Sequence, residues 1–150
     1  MKQIIFLFIF VSCTEHSLIR KKTIELESGE IQNKHTLSVI EKFNAAFNNH
    51  DVEAVMNVMT EDCIFENTSP SPDGTRVEGA TAVRAYWEKF FTNNPDAFFE
   101  AEDVFAAGDR CTVRWIYRKT KDGKPWHLRG VDVFKVRDGK VAEKLAYVKG

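Results

Sequence analysis

Twenty-two acidic residues, four histidines and three cysteines are the groups in this chain that could carry chemistry, provided that some of them gather. His16, His35, His50 and His127 are scattered, and no pair has the spacing of a shared ligand face on a helix or strand. The sequence has no C-x-x-C, no glycine-rich phosphate loop and no G-x-S-x-G. Neither a metal nor a cofactor is therefore expected. Asp132 is the acidic residue with the most unusual setting. It alternates with Trp126, Leu128, Gly130, Phe134 and Val136, and the period of two places its carboxyl group on an apolar face. Desolvation there would raise its pKa and make it a proton donor or acceptor near neutral pH. A structural aspartate bonded to a helix end, a backbone amide or Arg129 is the alternative. Glu66 reads as a rim glutamate and His127 as a surface histidine on the face opposite Asp132.

The elements that must position Asp132 follow from two changes of period. Thr36, Ile40, Phe43 and Phe47 recur at helical spacing, and Asn48-Asn49-His50 breaks that helix. Asp51 opens a second helix marked by Val52, Val55, Met56 and Met59. Cys63 to Asn67 is a short strand, closed by the turn-rich stretch from Ser69 to Gly74. A third helix follows Gly79, with Val83, Tyr86, Trp87 and Phe90 on one stripe. The period then falls to two. Phe98–Ala106 forms one strand, and Cys111, Val113, Trp115 and Tyr117 alternate along the next. Asp122-Gly123 and Asp138-Gly139 are hairpin signals on either side of the strand that carries Asp132, and a last strand runs from Val141 to Val148. Helices followed by an antiparallel meander make an α+β plan, in which a curved sheet around three helices leaves a cone-shaped cavity. Phe43, Asn67, Tyr86, Trp87, Trp115, Tyr117, Leu128 and Phe134 are the candidate cavity residues.

Composition limits the partners. One domain is the expectation for 150 residues and 17.2 kDa, with 43% hydrophobic and 29% charged residues. A net charge of -1 provides no field for nucleic acid. Twelve phenylalanines suit an aromatic-lined pocket, so a small apolar or aromatic molecule is the expected partner. Cys63 and Cys111 fall on inward faces, where free thiols act as small hydrophobes, although an oxidising compartment would permit a bridge.

The N-terminus reads as an export signal. Lys2 precedes eight uninterrupted apolar residues, Ile4 to Val11, and then Ser12-Cys13. Eight helical residues span about 12 Å, too short for a hydrocarbon core of roughly 30 Å. Phe10-Val11-Ser12-Cys13 resembles a bacterial lipobox, with Phe10 where leucine is usual, which implies a lipid on Cys13 and a membrane-anchored protein of the cell envelope. Plain secretion is the alternative. The expected organisation is a signal peptide over 1–12, a solvated tether over 13–35 and a folded domain over 36–150. Ile116 interrupts an otherwise polar face beside Arg114 and Arg118, and suggests a homodimer through the outer face of the sheet.

Three stretches, Phe47 to Val55, Val77 to Val83 and Gly130 to Val141, together resemble the nuclear transport factor 2-like superfamily, in its SnoaL-like and ketosteroid isomerase-like branch. The resemblance covers about 36–148. Ketosteroid isomerase-like enzymes use a carboxylate base, a tyrosine and a protonated aspartic acid. Those positions fall here on Asn67, Phe43 and Asp132. An amide takes no proton at neutral pH and a phenyl ring donates no hydrogen bond, which argues against steroid isomerisation. SnoaL-like cyclases use one acidic residue in an apolar pocket, as Asp132 would be. Two functions therefore stay open. The first is binding of a small molecule in an aromatic cavity. The second is an isomerase, cyclase, dehydratase or other lyase using Asp132 as acid and base on a small apolar or polyketide-like substrate.

Overall fold

The computed structural model describes residues 9–149, with side chains from residue 17 onward. The expected signal segment and the side chain of Cys13 fall outside the residues whose side chains are described. Helix α1 runs over Ile9–Asn48, α2 over Val52–Asn57 and α3 over Ala80–Asn93. The strands are β1 (Met59–Glu66), β2 (Arg76–Glu78), β3 (Phe98–Ala107), β4 (Arg110–Lys121), β5 (Lys124–Arg137) and β6 (Lys140–Val148). They form one curved, unclosed sheet in the order β2-β1-β6-β5-β4-β3. β1 runs parallel to β6, and every other pairing is antiparallel.

The helices cover the concave face. Val39, Ile40, Phe43, Ala46 and Phe47 of α1 meet Val83, Trp87 and Phe91 of α3 and the inward side chains of the strands in a single core. Two hairpins close on Asp-Gly pairs in which both residues have positive φ: Asp122 at 52° with Gly123 at 73°, and Asp138 at 52° with Gly139 at 73°. That is the backbone of a type I′ turn, which sets the β4–β5 and β5–β6 registers. Asp51 caps α2 by accepting a hydrogen bond from the Ala54 amide at 2.9 Å.

Four expectations change. The segment expected to be a tether is helical, because α1 continues through it as one rod. Every residue from Ser17 to Gln32 is nonetheless exposed, and the first buried residue among those described is Thr36. Met59 belongs to β1 rather than the second helix, since α2 ends at Asn57 and Met59 pairs with Val141 of β6. The expected turn from Ser69 to Gly74 leads into β2, which returns along β1 with Phe65 opposite Val77. Ile116 is only 4% exposed, although it lies on the outer face. Its cross-strand neighbours are Glu100 and Arg129, ion-paired to Arg118 and Glu102, and the stems of such long side chains cover apolar groups. The dimer expectation therefore loses the residue that motivated it. No described helix is long and apolar enough to cross a membrane.

Candidate functional site

Between the helices and the concave face lies a cavity of about 490 Å³. Asp132 stands in its lining, fully buried, on β5 between Val113 of β4 and Ala146 of β6. Its partner is none of those the sequence suggested. Lys144 Nζ lies 2.7 Å from Asp132 Oδ2, and Lys144 is itself 6% exposed. The two residues are diagonal neighbours on adjacent strands, because Lys144 faces Phe134 while Asp132 faces Ala146. The ammonium sits 5.2 Å from the ring centre of Phe65 and 5.6 Å from that of Phe134, within cation-π range of both. The site is thus an ion pair between aromatic rings. Burial raises the Asp132 carboxyl above the ordinary carboxylate range, and the nearby Lys144 and Trp115 only partly offset that rise.

Seven of the eight candidate cavity residues line this space: Phe43, Asn67, Tyr86, Trp87, Trp115, Tyr117 and Leu128. Phe134 does not. It is wholly buried below the cavity, with its ring 5.6 Å from that of Phe43. Lys144, Phe90, Trp126 and Ala146 line the cavity as well. The aromatics form a continuous wall in which Tyr86, Phe90, Tyr117 and Trp126 follow one another at centroid distances of 6.1, 6.1 and 6.2 Å. Gly130 makes room for this wall, because a Cβ there would stand 2.5 Å from two ring carbons of Trp115 and 2.2 Å from the Tyr147 carbonyl.

Asn67, where the resemblance places a base, instead organises the turn after β1. Its Oδ1 accepts from the amides of Ser69 (3.0 Å) and Thr75 (2.8 Å), and its Nδ2 donates to the Tyr86 hydroxyl at 3.0 Å. Phe43 packs edge-on against Trp87 with centroids 6.2 Å apart. Glu66 is paired with Arg76 at 3.6 Å, and His127 is exposed. Cys63 and Cys111 are buried and free, and burial pushes the Cys111 thiol up to about 11. No cluster of His, Cys, Asp or Glu able to hold a metal occurs among the described residues.

A family model for the SnoaL-like domain matches residues 40–144, which contain all of the cavity lining except Ala146 and Val148. The chain belongs to the SnoaL-like family. A nuclear transport factor 2-like protein of unknown function from Mesorhizobium loti shares 37% identity over 79% of this chain and 94% of its own, with a TM-score of 0.69. A protein proposed to be a polyketide cyclase, from Sinorhizobium meliloti, shares 20% over 73% of this SnoaL-like chain and 94% of its own, at a TM-score of 0.62. A ketosteroid isomerase-like fold from Catenulispora acidiphila, in complex with trimethylamine, shares 14% over 73% and 83%, at 0.65. The last two likenesses extend to the fold alone. No curated protein matches the chain.

Proposed function

We propose that this SnoaL-like domain binds a small, largely apolar molecule in its aromatic cavity. The observation that carries the reading is the cavity itself, about 490 Å³ of space walled by aromatic rings around one buried polar pair. Pockets of this size and lining suit small organic ligands. Mass spectrometry of compounds released from the purified protein tests the reading, with Ala146→Phe as the control because the larger side chain fills the space beside Asp132. A compound enriched in the wild type and absent from the variant is expected. Equal recovery from both would overturn the reading.

Lys144 favours a second reading, in which the bound molecule is also transformed. It is a second titratable group beside Asp132, so the pair could move a proton to or from a substrate in an isomerase, cyclase or lyase reaction. Asp132→Asn keeps the shape and removes the ionisable proton. Under this reading the variant retains the ligand but abolishes turnover, whereas unchanged turnover would exclude it.

We also propose that the chain is exported and anchored through a lipid on Cys13, for which the apolar run ending in Val11-Ser12-Cys13 is the support. Cys13→Ser should move the protein from the membrane fraction to the soluble one. Continued membrane association would rule out the anchor.

A further inference from the structure

The polar groups that line the cavity are unequally committed, and the imbalance defines the ligand. Its acceptors are largely spent. Asn67 Oδ1 already takes two backbone amides, Asn94 Oδ1 takes the Lys119 ammonium at 2.8 Å, and Asp132 Oδ2 is paired with Lys144, which leaves Asp132 Oδ1 as the buried acceptor of the lining without a partner. The Trp115 indole nitrogen also favours the charged form of Asp132, though without a hydrogen bond of normal geometry. Asn44, Thr68 and Ser69, at the margin, each carry a donor together with an acceptor.

The donors are largely free. Because two fixed amides fix which end of Asn67 is its oxygen, the Asn67 nitrogen must donate to Tyr86, and the Tyr86 hydrogen is left to donate elsewhere. The Tyr117 hydroxyl is buried in the lining with no partner, as is the indole N–H of Trp87. The two phenols flank Phe90, whose ring centre is 6.1 Å from each of theirs. Both keep their protons at neutral pH. Burial and the neighbouring Asp96 and Tyr86 push Tyr117 up to about 12, and burial raises Tyr86 as well. A buried donor without an acceptor is costly, and a bound acceptor oxygen recovers that cost.

We propose that the ligand is a flat apolar molecule bearing an acceptor oxygen, as a carbonyl or a carboxylate, held by the hydroxyls of Tyr86 and Tyr117, and that organic cations are rejected. This rests on the reading of the cavity as a ligand site and names what the site selects. A cation would find the only buried carboxylate among the described residues already neutralised by Lys144, and the unpartnered donors of the lining outnumber its one unpaired carboxylate oxygen, Asp132 Oδ1.

Four matched probes test it by calorimetric titration of the full chain: acetonaphthone, naphthoate, ethylnaphthalene and naphthylmethylammonium. Acetonaphthone or naphthoate should bind at least about tenfold more tightly than ethylnaphthalene, the gain from one or two hydrogen bonds. The ammonium probe should bind more weakly than the hydrocarbon. Preference for the ketone identifies a neutral carbonyl, and preference for naphthoate identifies a carboxylate. In Tyr86→Phe/Tyr117→Phe the preference for the oxygen-bearing probes should disappear while ethylnaphthalene binding persists. Tyr117→Phe alone removes no hydrogen bond within the protein, so it provides the same comparison if the double variant unfolds. Equal binding of ketone, carboxylate and hydrocarbon, tight binding of the cation, or a preference that survives both substitutions would overturn the proposal and leave the cavity reading standing. Failure of all four probes to bind folded protein would overturn both.

Discussion

Once a carboxylate and an ammonium have both left water, each depends on the other. Asp132 and Lys144 are in that position, and the cost of separating them depends on pH. Lys144→Met removes the counter-charge and should cost about 3–5 kcal/mol at neutral pH. The sign follows from the raised Asp132 pKa. A carboxyl whose folded value lies above its unfolded value of about 3.9 contributes its full stability below that pH and loses it as pH rises through the folded value. The penalty of Lys144→Met should therefore shrink as pH is lowered toward 4 and Asp132 takes up its proton. Urea unfolding of wild type and variant at neutral and mildly acid pH measures this, and an equal penalty at both would contradict it. Asp132 was legible in the sequence because strict alternation runs along β5. Lys144 was not. Simple alternation from Val141 groups it with Leu145 and Tyr147 as the apolar face and turns Lys144 outward, whereas a register shift between Lys135 and Val136 reverses the faces. A one-residue irregularity leaves no compositional mark.

At the scale of elements, β3 is an edge strand that needs a partner on its free side. The Asn48 side chain supplies one at the end of α1. Its Nδ2 donates to the Phe99 carbonyl and its Oδ1 accepts from the Phe99 amide, both at 2.8 Å, so one amide imitates a strand. Asn48→Ala would leave both backbone groups unpaired beside buried Phe99, and a loss of about 2 kcal/mol is expected. Thermal unfolding reads the loss, and an unchanged midpoint would refute the clamp. The sequence reveals Asn48 as a helix breaker but not as this clamp, because its partner is 51 residues away. The long strands and their Asp-Gly turns were legible because period and turn chemistry are local. β2 was hidden by its length of three residues. Met59 fitted a helical stripe as well as a strand, and only the pairing with Val141 of β6 decides between them.

For the whole molecule, the folded unit begins where α1 first touches the sheet. Asn33 Oδ1 accepts the Gly108 amide, and the Thr36 hydroxyl donates to the Gly108 carbonyl, both at 2.7 Å, which ties the helix to the β3–β4 turn. A chain starting at residue 30 keeps these contacts, and the side chains described among those it loses, from Ser17 onward, are all exposed. Its unfolding midpoint should match that of the full chain, whereas a start after Thr36 should lower it. A large drop for the first truncation would mean that the arm packs on the domain. The arm has a mechanical consequence. From Cys13 to Thr36 it is continuous helix, propagated from a segment already nucleated by packing, and a helix of that length measures about 35 Å. A rope of the same residues would leave the domain free to tumble about its attachment point. A rod transmits direction as well as distance, so whatever grips its far end also sets which way the mouth of the cone points.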